Sequence, residues 1–178
     1  MPKEMKKIIA ETYMELVRER DVDKITVKSL IDACHISRQT FYYHFQDIMD
    51  VLEWSARQSV QKLVEQSLQA EDIRSALHIF ISFTVENYPT LHKLMESQKR
   101  GRIEKILLDA ASAYLRELIR YRCPDLSVNF AELDVVLRFS ACGLVGVLLH
   151  YGGKPRLDQE RLTQQLGRIL SGRLEGLE

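Results

Sequence analysis

Between Ile25 and Phe45 the chain reads as two short helices around a tight turn, and the second helix cannot be an ordinary core helix. Thr26 suits the N-cap of a helix ending near Cys34. His35-Ile36 turns the chain, and Ser37 can offer its hydroxyl to the orphan donors of the next helix. Behind Ser37 stand Arg38, Gln39, Thr40, Tyr42, Tyr43 and His44, all within a turn and a half. A buried helix would not carry these groups, and a merely solvated one would favour Lys and Glu over Tyr-Tyr-His. They suit a face that meets phosphates and base edges. Leu30, Ile31, Ile36, Phe41 and Phe45 read as the small core beneath it.

The rest of the chain is predicted to be helical as well. Only 8 glycines and 4 prolines occur in 178 residues, and no alternating β-branched run of strand length appears. Met5, Ile8, Ile9, Tyr13, Leu16 and Val17 give a first helix to about Arg20. Asp47 with Asp50 opens a long helix toward Ala70. Ile73 to Val85 is apolar on nearly every face, predicting a central buried helix. Pro89 breaks the chain after Tyr88, and Gly101 separates a short helix from the amphipathic one that carries Ile103 to Tyr121. Asn129 with Glu132 opens the next helix, which closes at Gly152-Gly153, and a last one starts after Asp158. The expectation is an all-α protein of about nine helices. Residues 1–46 are expected to form a three-helix DNA-binding head, and residues 47–178 a bundle available for dimerisation and ligand binding.

Charge and cysteines narrow the class. Lys+Arg and Asp+Glu balance at 25 each, so any surface for a polyanion has to be local. Cys34, Cys123 and Cys142 are odd in number and free of CxxC spacing, which fits reduced thiols in a cytoplasm. Cys142 falls in an apolar run where a thiol should stay protonated. The start of the chain has Lys3, Glu4, Lys6 and Lys7 but no apolar h-region, so no signal peptide is expected. His35, His44, His78, His92 and His150 have no paired metal-ligand spacing. No Gly-rich phosphate loop, nucleophile elbow or catalytic carboxylate pair is present, so no metal, cofactor or enzymatic activity is expected.

On spacing alone, a plain helical hairpin remains an alternative for residues 26–45. The run Thr26-Val27-Lys28-Ser29-Leu30-Ile31, followed by Ile36-Ser37-Arg38-Gln39-Thr40-Phe41-Tyr42-Tyr43-His44-Phe45, resembles the helix-turn-helix signature of the TetR/AcrR family of bacterial regulators. The resemblance covers about residues 5–55 and is architectural beyond them. It implies that Arg38, Gln39 and Tyr43 face base edges, while Thr26, Ser37, Thr40, Tyr42 and His44 hold phosphates, with Lys28 as an additional contact. The chain departs from the family twice: His35 stands where the turn usually has glycine, and Ile48 where a phosphate-gripping lysine is usual. The Tyr88-Pro89 break and the glycines of the eighth helix resemble the branch of dihydroxyacetone kinase regulators, some of which activate.

Two further surfaces are expected. From Phe139 to Gly153 there is no Asp, Glu, Lys or Arg, a run shorter than the roughly 20 residues of a membrane span, so no membrane association is expected. Burial inside one chain is one reading of it. The other is a homodimer interface made by this helix and the last one, through Ser140, Gly143, Gly146, Val147, Leu162, Leu166 and Ile169. An effector pocket for an unknown small molecule is expected around Trp54, Arg57, His78, Phe83, Tyr88, His92, Met95 and Tyr114. The functional expectation is a cytoplasmic, homodimeric regulator of double-stranded DNA: a ligand-released repressor of a pseudo-palindromic operator. Alternatives are an activator of the same fold, a ligand or protein-interaction module whose head has decayed, and a redox sensor acting through Cys34 or Cys142.

Overall fold

The computed structural model describes residues 2–124 and 130–174, so the expected Asn129 helix start lies outside the described residues. Among the described residues there are nine α-helices and no strand. They are α1 (Pro2–Glu19), α2 (Val27–Cys34), α3 (Arg38–His44), α4 (Ile48–Leu68), α5 (Ile73–Glu86), α6 (Tyr88–Met95), α7 (Arg100–Arg122), α8 (Phe130–Tyr151) and α9 (Gln159–Leu174). The link between α1 and α2 is not wholly irregular. Val22–Lys24 is one 3-10 turn, with Val22 buried and Asp21 accepting the Asp23 N–H. Gly101 does not separate two helices. It lies in the first turn of α7, where a backbone without a Cβ is tolerated because few helical hydrogen bonds are yet at stake.

The chain divides into two compact units, Met1–Gln58 with Pro89–Ile106, and Ser59–Tyr88 with Leu107–Glu178. This division falls within α4 and α7. In the first unit α1 packs on α2 and α3, burying Ile9, Tyr13, Val17, Leu30, Phe41 and Phe45. Ile31 and Ile36, expected in this core, are only half-buried. Three polar anchors fasten the Pro89–Ile106 segment into this unit. Lys93 Nζ donates to the Val17 and Arg18 carbonyls at the end of α1, where a cation complements the helix dipole. Asp23 accepts from the Ser97 hydroxyl at 2.6 Å and the Gln98 N–H at 3.0 Å, and Arg102 forks onto Asp47 at 2.8 and 3.4 Å.

The second unit is a helical bundle in which α5 packs on α8 and α9, around Leu63, Leu77, Ile81, Tyr114, Leu137, Leu144 and Leu166. α5 is buried along one face only, since Ile73 is exposed and Ile79, Phe83 and Val85 are half-covered. Tyr114 is fully buried and stacked on Phe80 with ring centroids 4.7 Å apart. Its hydroxyl donates to the Ala76 carbonyl at 2.9 Å and meets Ser67 Oγ at 2.8 Å. Burial pushes this phenol up to about 12. Arg122 closes the end of α4 by donating to the Ser67, Ala70 and Glu71 carbonyls. Over Glu132–Tyr151 α8 is long and apolar enough to cross a membrane, with mean hydropathy 1.7, because the helix extends well beyond the uncharged run alone. In this unit its inner side packs on the core, and Arg138 and Asp134 pair with Asp109 and Arg116 of α7.

Candidate nucleic-acid interface

The turn between α2 and α3 is built by caps at both ends. Thr26, extended at φ −110 and ψ 162, accepts the Ser29 N–H at 3.1 Å, and Ser29 Oγ accepts the Thr26 N–H at 3.0 Å. This reciprocal box contributes about 1 kcal/mol. At the other end His35 takes the left-handed conformation, φ 53 and ψ 41, the only non-glycine among the described residues with positive φ. Ile36 N–H then reaches the Ile31 carbonyl at 3.2 Å, and His35 N–H the Asp32 carbonyl at 3.3 Å, closing a Schellman-type end. Ser37 restarts the helix by accepting the Thr40 N–H at 3.0 Å, and the two hydroxyls lie 2.8 Å apart.

α3 has only seven residues, too short to hold itself, and is fixed by Phe41, which is fully buried. Anchoring that face turns the opposite one outward. Arg38, Gln39 and Tyr42 are exposed, Tyr43 is 77 % exposed, and Thr40 and His44 are half-exposed. Lys28 and Thr26 are exposed at the start of α2. The expected contact residues thus lie on one continuous pair of helices. The Arg38 guanidinium lies 5.4 Å from the Tyr42 ring centroid, and Nη2 donates to the Tyr42 hydroxyl at 3.5 Å. The Tyr43 and His44 rings meet edge-on at 4.9 Å. Tyr42 therefore orients Arg38 as well as offering its own hydroxyl, a pairing that sequence reading missed although the i, i+4 spacing signals it. From Thr26 to Gln46 the formal charges are Lys28, Arg38 and Asp32, a balance of +1 on a chain of net zero. Such a surface relies on hydrogen-bonding side chains more than on bulk charge.

The eight residues expected to line an effector pocket fall four in each unit. Trp54, Arg57, His92 and Met95 belong to the first, and His78, Phe83, Tyr88 and Tyr114 to the second. Trp54 packs edge-on against Phe45 at 6.2 Å, and Arg57 pairs with Glu53. His78 Nδ1 lies 3.0 Å from Thr163 Oγ1, linking α5 to α9. The Tyr88 hydroxyl donates to the Leu149 carbonyl at 3.2 Å, and its ring lies against Gly152 and Gly153. A separate apolar groove of the second unit is lined by Ile73, Leu77, Leu118, Leu137 and Leu170 and contains none of the eight.

The residues expected at a dimer interface also divide. Leu162 and Leu166 are buried in the second unit's own core because α9 packs that side onto α5, and Ser140 of α8 is buried too. Gly143 and Gly146 are exposed, Val147 is half-buried and Ile169 is 51 % exposed. Val135 and Phe139, which sequence reading passed over, are 69 % and 58 % exposed on α8. With Gly143 and Gly146 they form an outward stripe at helical spacing. Cys142 lies on this outer side and is exposed rather than enclosed.

No family model matches the chain. A curated protein, the HTH-type dhaKLM operon transcriptional activator DhaS of Lactococcus lactis subsp. lactis (strain IL1403), is 25 % identical over 93 residues. That match covers 52 % of this chain and 50 % of DhaS, so it spans about half the length of the curated relative. Among solved structures, the dihydroxyacetone kinase operon activator DhaS superposes with a TM-score of 0.66 at 20 % identity, covering 97 % of both chains. A tetR-family transcriptional regulator from Streptomyces coelicolor gives 0.64 at 16 % identity, over 94 % of this chain and 81 % of that one. The TetR family repressor AlkX from Dietzia sp. strain DQ12-45-1b gives 0.59 at 16 % identity, over 96 % and 97 %. Likeness at these identities establishes architecture, and the chain has the all-α fold of the TetR-family transcriptional regulators.

Proposed function

We propose that this protein is a cytoplasmic transcriptional regulator that binds a pseudo-palindromic operator as a homodimer, laying α3 of each protomer in a major groove. The observation that carries this reading is the outward face of α3. Arg38, Gln39 and Tyr43 are exposed on a helix anchored from behind by Phe41. Arg matches guanine O6/N7 and Gln matches adenine N6/N7, while the hydroxyls of Thr26, Ser37, Thr40 and Tyr42 suit phosphate oxygens. An intact reading face of this kind counts against a decayed head. Dimerisation would use the outer stripe of α8 together with Ile169 of α9, a self-complementary arrangement suited to a two-fold. A small molecule would act by tilting α4, which runs through both units, and so change the separation of the two recognition helices.

We take the protein to be a repressor released by its ligand. Activation is the second reading, supported by the likeness to DhaS, which is named as an activator. The test is mobility shift and footprinting on the gene's own upstream region at low salt, followed by a promoter reporter with and without the protein. A protected two-fold site with reduced reporter output is expected. Protection with raised output would select the activator, and absence of any shift would remove the DNA-binding reading.

A further inference from the structure

With α3 laid in a major groove as proposed above, the C-terminal end of α3 approaches a duplex backbone, and the start of α4 there is closed to an anion. Asp47 already accepts the Asp50 N–H at 2.8 Å, and Asp50 accepts the Gln46 N–H at 3.0 Å. Two carboxylates thus occupy the positions where a helix N-terminus would otherwise attract phosphate. Arg102 is committed to Asp47, and the Ile48 side chain is buried. None of these groups offers a free cation.

One cation does reach this corner, from a different element. Lys6, in the second turn of α1, holds its Nζ 5.1 Å from the centroid of the Phe45 ring. Phe45 is the residue that ends α3, between half-exposed His44 and exposed Gln46. The ring face attracts the ammonium and restricts where it can point, without neutralising it. Among the described residues no carboxylate lies within ion-pair distance of Lys6, whereas its neighbour Lys7 pairs with Glu11 at 3.8 Å. The half-buried stem and unpaired head give a cation held at the end of the recognition helix.

We propose that Lys6 contacts a DNA phosphate beside the C-terminal end of α3, supplying from α1 the sequence-independent grip that the acid-capped head of α4 cannot provide. The assignment rests on the DNA-binding reading above. It makes Lys6 a contributor to affinity and salt dependence and leaves base preference to Arg38, Gln39 and Tyr43.

The experiment uses the full chain and two fluorescent duplexes, one from the gene's own upstream region and one of random sequence, titrated by anisotropy over a series of salt concentrations. Each neutralised phosphate adds about 0.9 to the salt slope, so Lys6→Gln should lower the slope by about 1.8 for a dimer on two half-sites. Over a fourfold rise in salt the parent should therefore lose roughly tenfold more affinity than the variant, equally on both duplexes. Lys6→Arg should keep the parent slope, and Arg38→Ala should instead erase the difference between the duplexes. A Lys6→Gln protein with the parent slope, or with a lower melting temperature as its only change, would overturn the proposal while Arg38→Ala upheld the DNA reading. A parent that binds neither duplex would remove both.

Discussion

At the scale of single residues, the interface is governed by which side chains are fixed from behind. Arg38 is held over Tyr42, so its fork is already oriented before any base is met. Arg38→Ala should therefore cost about 1–3 kcal/mol and relax preference at one base pair, whereas Thr40→Ala should weaken all duplexes alike. Competition titrations against single-base operator variants separate the two patterns. His35 illustrates a cost borne by the turn, since its left-handed backbone is disfavoured by roughly 1–2 kcal/mol in a non-glycine residue. Glycine would relieve this but loses about 0.5–1 kcal/mol through greater freedom in the unfolded chain. His35→Gly should thus raise stability by up to about 1.5 kcal/mol, read as a higher denaturation midpoint with an unchanged denaturant slope. A lower midpoint would mean that the His35 side chain makes a contribution of its own.

At the scale of elements, the first unit is held by ionic fastenings between segments far apart in sequence. Asp23 is kept below its ordinary value of 3.8 by the Ser97 hydroxyl, the Gln98 N–H and Lys99. At Asp47 burial pushes upward, but the Arg102 hydrogen bond and charge and the Asp50 and Met49 N–H groups outweigh it, and the net shift is also downward. A carboxylate depressed in the folded state contributes stability that is complete above its unfolded value and lost as pH falls through the folded one. The unit should accordingly be at full strength above about pH 4 and weaken progressively below it. In Asp23→Asn with Asp47→Asn, unfolding midpoints measured from pH 5.5 to pH 3 should fall less steeply than in the parent. An equal slope in both proteins would show that other carboxylates dominate. These anchors tie α6 and the first turns of α7 to α1 and the head of α4, so a displacement of α6 would disturb the packing of the first unit directly.

For the molecule as a whole, the question is what covers the outer stripe of α8. A Cβ at Gly143 or Gly146 would meet nothing within 4 Å in the protomer. The first carbon of a side chain there meets no atom of the chain's own core, so a larger residue projects outward from α8. If the stripe is the two-fold interface, Gly146→Leu should push the facing helices apart at about 1–3 kcal/mol per site, applied twice by symmetry. Sedimentation at micromolar concentration should show a dimeric parent and a variant shifted to monomer at unchanged helicity. A monomeric parent would refute the interface. By contrast, Gly153→Ala drives a Cβ into the Tyr88 ring, so it should destabilise the second unit without touching assembly.

Local features were legible in the order of residues, because caps, breaks and periodicity act over a few positions. Thr26 and Ser37 cap the helices expected of them, Phe41 and Phe45 lie beneath α3, and nine helices appear among the described residues. Which face a residue presents once several helices compete for the same core was not legible. Leu162 and Leu166 look equally suited to a partner or to α5, and only the packing of α9 on α5 assigns them inward while leaving Val135 and Phe139 outside. The same holds for Lys93, Ser97 and Arg102, ordinary surface residues by sequence. Their anchoring depends on α1, Asp23 and Asp47, brought near from more than fifty positions away. Chain order sets the short-range interactions that start and stop helices. Partners distant along the chain meet only when the helices pack, and that packing alone decides where each amphipathic face turns.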